Sequence, residues 1–171
     1  IYDKFDNAKT KRAIGNIEFD YTMPFLPDLK ANLNMGMDIA EGSGNKGDKV
    51  GSFMSWKDAE FKGIGRGENW ENKRKNSVLD FYLNYSKELP SLYSKFDIMG
   101  GYSWQHFHSE DFNVVRSNHA TNPIEKDPTT FETENFLVSF YGRLNYSILD
   151  RYLITVSLRN DGSSRFSKDN R

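Results

Sequence analysis

Apolar and polar residues alternate in strict period two from Leu29 to Ile39. Leu29, Ala31, Leu33, Met35, Met37 and Ile39 fall on one side; Lys30, Asn32, Asn34, Gly36 and Asp38 fall on the other. Successive side chains of a strand point to opposite faces, so the run predicts a β-strand with one apolar wall and one polar wall. The rhythm recurs along the chain. Ala13 to Met23 sets Ile17, Phe19, Tyr21 and Met23 against Asn16, Glu18, Asp20 and Thr22, and Asn76 to Ser86 sets Leu79, Phe81, Leu83 and Tyr85 against Asp80, Tyr82 and Asn84. Lys95 to Phe107 carries Phe96, Ile98, Gly100, Tyr102 and Trp104 on its apolar side, and Gly100-Gly101 marks a bend or a close backbone approach. Glu134 to Tyr146 opposes Phe136, Val138, Phe140, Gly142, Leu144 and Tyr146 to Ser139, Tyr141, Arg143 and Asn145. Arg151 to Asn160 opposes Tyr152, Ile154, Val156 and Leu158 to Thr155, Ser157 and Arg159.

Six strands are thus predicted, and short and long connections alternate between them. Pro24 to Asp28, Lys87 to Ser94 and Ser147 to Asp150 are tight turns; Glu41 to Lys75 and His108 to Thr133 are long polar loops without helical periodicity. Strand length decides what the alternation means. Eleven residues at about 3.3 Å each, tilted by roughly 45°, cover close to the 25 Å apolar band of an outer-membrane barrel. A soluble β-sandwich shares period-two patterning, but its strands run to about five or six residues. Short turns are periplasmic and long loops extracellular in such barrels, and Tyr21, Tyr85, Tyr102, Trp104, Tyr146 and Tyr152 fall near stripe ends, where aromatic girdles sit.

Composition supports this only after one correction. The 171 residues are 37% hydrophobic and 27% charged, which resembles a soluble domain. A barrel strand gives only alternate residues to lipid, so its mean hydropathy stays low. No run approaches the ~18 apolar residues of a membrane helix. A net charge of −1 with interspersed signs offers no footprint for nucleic acid, and the lack of cysteine excludes disulfides and thiolate metal sites. Ile1-Tyr2-Asp3 carries no leader pattern and Asp169-Asn170-Arg171 no closing strand, so the chain is expected to be a piece of something larger.

The last third reads Glu134-Asn135-Phe136-Leu137-Val138-Ser139-Phe140-Tyr141-Gly142-Arg143-Leu144-Asn145-Tyr146, then Asp150-Arg151-Tyr152-Leu153-Ile154-Thr155-Val156-Ser157-Leu158-Arg159-Asn160-Asp161-Gly162-Ser163-Ser164-Arg165-Phe166. This ordered set resembles the mid-barrel signature of SusC/RagA-like TonB-dependent outer-membrane transporters: a G/A-R-L-N-Y strand, a turn, an R-Y-L strand and R-x-D-G-S-S-R-F. Phe96 to Gln105 is similar to the strand that precedes it in that family. Ser167 departs from the usual glycine. The resemblance implies an all-β fold, an antiparallel transmembrane barrel segment of about six strands from a 22-stranded barrel, with residues 1–171 all belonging to the barrel domain. It further implies a lumen-filling plug and a TonB-binding segment outside this chain, a SusD-like surface lipoprotein partner, surrounding outer-membrane lipid, and import of an oligosaccharide or peptide. An isolated six-stranded piece would leave two unpaired edges in lipid, where each unsatisfied backbone group costs several kcal/mol. A passive barrel such as a porin or adhesin, or a sandwich-type carbohydrate-binding module, are the competing functions.

Nothing in the sequence assembles a catalytic constellation, and no cofactor is implied. His106 and His108 share a strand face and could begin a metal site, but a strand ending at Phe107 makes them, with His119, solvated loop histidines, so no metal is expected. Gly42-Ser43-Gly44-Asn45-Lys46-Gly47 lacks the G-K-[ST] ending of a phosphate loop and is expected to be a surface loop. The sequons at Asn84 and Asn145 lie in strands and are chance matches. Glu18, Asp20, Lys30, Asp38, Asp80, Asp97, Arg143 and Arg159 are expected to face the lumen, either as a wet interior or as a polar track for a hydrophilic substrate. Phe53, Trp56, Phe61 and Trp70 are candidate ligand contacts, because loop aromatics stack on sugar rings; the competing role is a small core for the loop itself.

Overall fold

The computed structural model describes residues 3–119, 121, 124–149 and 151–165. Pro123 of the second loop, Asp150 of the third turn, Phe166 and Ser167 of the signature, and residues 169–171 lie outside the described residues. Among those described there are six strands: β1 (Lys4–Thr22), β2 (Leu29–Asp48), β3 (Arg66–Leu89), β4 (Ser94–Ser117), β5 (Thr129–Ile148) and β6 (Tyr152–Ser163). They form one sheet in sequence order, each hydrogen-bonded to its chain neighbours, so every connection is a hairpin. The second sheet that a sandwich requires is absent among the described residues, and no helix is long and apolar enough to cross a membrane.

The β5–β6 register places the alternation on defined faces. Gly142 lies opposite Leu158, Leu144 opposite Val156 and Tyr146 opposite Ile154, while Tyr141 faces Arg159, Arg143 faces Ser157 and Asn145 faces Thr155. Apolar pairs with apolar and polar with polar, because a one-residue slip would move every side chain to the wrong face. Asp161, Gly162 and Ser163, expected to leave the sheet, continue β6 opposite Ser139, Val138 and Leu137.

Every long strand outruns its predicted limits. β3 and β4 have 24 residues each, about 80 Å at the usual rise, whereas a 25 Å band crossed at roughly 45° needs about 35 Å. The added stretches include residues 4–12 of β1, 40–48 of β2, 66–75 of β3 and 108–117 of β4. These stretches are mostly polar, with apolar residues such as Phe5, Trp70, Phe112 and Val114 only scattered along them, so they carry no sustained period-two signal, and backbone pairing holds them in the ladder. The loops shrink accordingly, to 49–65 and 118–128. The chain forms two compact units, one of Ile1–Ala13, Asp38–Lys75 and His108–Glu134, the other of Ile14–Met37, Asn76–Phe107 and Asn135–Arg171.

The second unit contains the striped strand portions and the turns. Its apolar face is open: Ile17, Phe19, Met37, Ile98, Phe140, Ile154 and Leu158 are all exposed. Tyr102 meets Phe140 at 5.1 Å and Tyr85 meets Phe96 at 5.7 Å, as expected of aromatics packed across neighbouring strands. The glycine pair proves to be a close approach at Gly101 alone. A Cβ there would lie 2.5 Å from the Tyr141 ring, whereas Gly100 has only the Tyr141 carbonyl at 4.0 Å. The turns are tied together: Lys87 pairs with Asp28, the Ser86 amide donates to the Asp28 carbonyl at 2.9 Å, and the Leu149 amide donates to the Tyr93 carbonyl at 2.6 Å.

The first unit contains the strand extensions and a loop with structure of its own, which corrects the expectation of an irregular segment. Helix α1 (Phe53–Lys57) is capped by Ser52, whose hydroxyl accepts the Ser55 amide at 3.1 Å. The second loop fastens onto the first. Asn118 donates its amide to the Gly65 carbonyl at 3.0 Å and its side-chain nitrogen to the Asp48 carbonyl at 2.9 Å, and Lys126 pairs with Glu60 at 2.5 Å. Among the described residues the buried hydrophobic side chains are Phe61 and Val114, both in this unit.

Candidate ligand-facing surface

The polar face of the sheet is a series of cross-strand contacts. Asn32 of β2 donates to Glu18 at 2.8 Å and to Asp20 at 2.7 Å on β1, so one buried amide bridges two carboxylates. Arg12 forms a two-pronged pair with Asp38, both contacts at 2.9 Å, the fork geometry that best suits a carboxylate. Asn145 of β5 reaches Asp97 of β4 at 3.4 Å and accepts from Thr155 of β6 at 3.0 Å. Arg159 donates to Asp161 at 2.8 Å and to the Ser139 hydroxyl at 3.2 Å, and Ser139 also bonds Asp161. Of the charges singled out in the sequence, Glu18, Asp20, Asp38, Asp97 and Arg159 therefore have partners on this face. Lys30 and Arg143 are exposed, and Asp80 is half-buried. The partners Arg12, Asn32, Ser139, Asn145 and Asp161 were legible only as polar positions. Arg12 lies before the first stripe and Asp161 after the last.

The four aromatics separate into different roles. Phe53 and Trp56 are 70% and 64% exposed on α1, enough to leave ring faces open to a ligand. Lys57 sits 4.8 Å over the Phe53 ring, and the Trp56 ring lies so close to Gly63 that an added Cβ would come within 2.7 Å of it. Phe61 is 1% exposed, with Lys126 at 5.8 Å over its ring, and so takes the loop-core role. Trp70 belongs to β3 rather than to a loop and lies across Gly42 and Gly44 of β2, where a Cβ would meet its ring at 3.2 and 2.7 Å. Gly42 and Gly44 are thus β-strand positions that make room for a tryptophan, and Gly47 is a strand position too, which replaces the surface-loop expectation. Asp58 anchors the loop by accepting the amides of Phe61 at 3.1 Å and Glu60 at 3.0 Å. Those bonds, the Phe61 one foremost, hold its carboxyl below the usual range.

His106 and His108 are not loop residues either. Both lie in β4. His106 stacks on Phe136 at 4.4 Å with rings 6° from parallel. His108 is instead flanked by carboxylates, with Nε2 2.9 Å from Glu110 and Nδ1 3.8 Å from Glu132 on β5. The hydrogen bond to Glu110 raises the ring above its ordinary range, with Glu110, Glu132 and Glu134 adding by charge, and the same bond lowers Glu110. His119 is bonded within its own loop, to Thr121.

Comparison with known proteins places this surface in a class. TonB-dependent receptor SusC of Bacteroides thetaiotaomicron is 37% identical over 173 aligned positions, which span 98% of this chain and 16% of SusC. TonB-dependent receptor P3 of Formosa agariphila is 28% identical over 141 positions, 76% of this chain and 14% of that protein. Among solved structures, the RagAB peptide importer in its open-open state superposes with a TM-score of 0.85 over 99% of this chain and 19% of that chain, at 17% identity. BauA, the ferric preacinetobactin receptor of Acinetobacter baumannii, superposes at 0.58 over 93% of this chain and 26% of that one, at 16% identity. No family model matches. The six-stranded all-β sheet is thus similar to part of the fold of TonB-dependent receptors. Within that class, the chain belongs to the SusC/RagA family. It spans about one sixth of the length of SusC.

Proposed function

We propose that this chain is a wall segment of a TonB-dependent importer that moves a nutrient, an oligosaccharide or a peptide, across the bacterial outer membrane. The observation that carries the reading is the open apolar face. Ile17, Phe19, Phe140 and Leu158 are more than half exposed on strands long enough to cross lipid, and burying such a side chain stabilises by about 1.5–3 kcal/mol. Lipid supplies that burial without a second layer of protein. Edge strands β1 and β6 then pair with further strands of a barrel of about 22, and residues 1–171 all belong to its barrel domain. Turns 23–28, 90–93 and 149–151 face the periplasm and loops 49–65 and 118–128 the exterior. The polar face, with Glu18, Asp20, Lys30, Asp38, Asp80, Asp97, Arg143 and Arg159, lines the lumen around a plug.

Phe53 and Trp56 are positioned for an incoming ligand or for a SusD-like lipoprotein over the extracellular mouth; Trp70 serves the wall. Energy arrives through TonB acting on the plug, and this segment breaks no bond. RagAB, similar in structure, is a peptide importer, whereas sequence identity is greater to SusC. Uptake of labelled oligosaccharides and peptides by cells expressing the full-length protein tests the reading. One cargo class should enter, and removal of the TonB-binding segment should abolish entry while the folded barrel remains in the outer membrane. Undiminished entry without that segment would show a passive channel.

A further inference from the structure

We propose that His108, Glu110 and Glu132 form a divalent-cation site, best suited to Zn2+, that staples β4 to β5 beyond their striped portions. One donor atom from each of the three residues lies within 4.8 Å of the other two. A tetrahedral Zn2+ with bonds of about 2.0–2.1 Å sets its donors about 3.3–3.5 Å apart. Glu110 and Glu132 have side chains 45% and 62% exposed, so their torsions are free to close that difference, while His108 at 21% is the fixed element. Strand geometry assembles the set: positions two apart on β4 share a face, and β5 is hydrogen-bonded beside β4.

The donor chemistry selects the ion. An imidazole nitrogen with carboxylate oxygens suits Zn2+ better than Ca2+ or Mg2+, which favour all-oxygen shells. Water completes the fourth position. Charge acts in the same direction, because Glu110 and Glu132 bring two carboxylates to one imidazole. This pairing differs from the His106–His108 pair that spacing alone suggests, since His106 is stacked on Phe136.

The test uses the full-length protein in detergent, with Zn2+ and Co2+ as probes. After equilibration and dialysis, wild type should retain one more Zn2+ per chain than His108→Asn. Co2+ should give the visible absorption of a four-coordinate nitrogen–oxygen site in wild type alone. Glu132→Gln should weaken Zn2+ binding about tenfold or more. Heat-modifiable migration without metal shows that each variant is folded. Equal metal content in wild type and His108→Asn, or a Co2+ spectrum unchanged by the substitution, overturns the site.

Discussion

At the scale of single residues, two positions govern how closely chain segments approach. A Cβ at Gly47 would lie 2.0 Å from the Arg66 carbonyl oxygen, and backbone cannot swing aside as a side chain can. Gly47→Ala should therefore cost about 1–3 kcal/mol, read as a lower heat-modification temperature of the full-length barrel. Asp58 acts through charge and acceptor capacity together. Its carboxyl is held low by the amides of Phe61 and Glu60, so its contribution is fully present above the ordinary carboxylate value and is lost as pH falls through the lowered one. Cleavage of loop 49–65 by an acid protease should rise across that interval in wild type. Asp58→Asn, which keeps the acceptor, should open the loop less than Asp58→Ala, for which a lost cap of this kind costs about 0.5–2 kcal/mol.

At the scale of elements, loop 49–65 is a small folded body. Phe61 is its buried centre, α1 carries its exposed aromatics, and Asn118 and Lys126 fasten the second loop to it. Phe61→Ala should cost that body about 3–5 kcal/mol and expose 49–65 to trypsin, with the heat-modifiable barrel unchanged. The striped portions of the strands were legible because one face differs chemically from the other. The extensions were not: residues 66–75 of β3 read Arg-Gly-Glu-Asn-Trp-Glu-Asn-Lys-Arg-Lys, and a strand wet on both sides has no contrast to display. Trp70 was misplaced for that reason. The glycines beneath it, read as loop punctuation, are the space its ring occupies. The pairing of His108 with Glu132 escaped too, because Glu132 lies 24 positions away and only the β4–β5 pairing joins them. Turn positions were easier, since Pro24, Pro27 and Pro90 stop a ladder wherever they stand.

At the scale of the whole molecule, the central question is what covers the apolar face. A water-soluble sheet of this size would bury it under a second layer, and among the described residues there is one sheet only. The two faces must then answer oppositely to the same charge. Val156 lies near the middle of β6 on the apolar face, opposite Leu144, while Ser157 beside it faces Arg143 on the polar side. With the full-length protein folded in phospholipid vesicles, Val156→Arg should lower unfolding stability by about 2–4 kcal/mol, because an arginine near the bilayer midplane is stripped of water. Ser157→Arg adds the same side chain one position away and should cost far less, because a wet lumen solvates it. Equal effects from the two substitutions would mean that water, and not lipid, meets the apolar face. The lipid assignment would then fall, although the fold itself would stand.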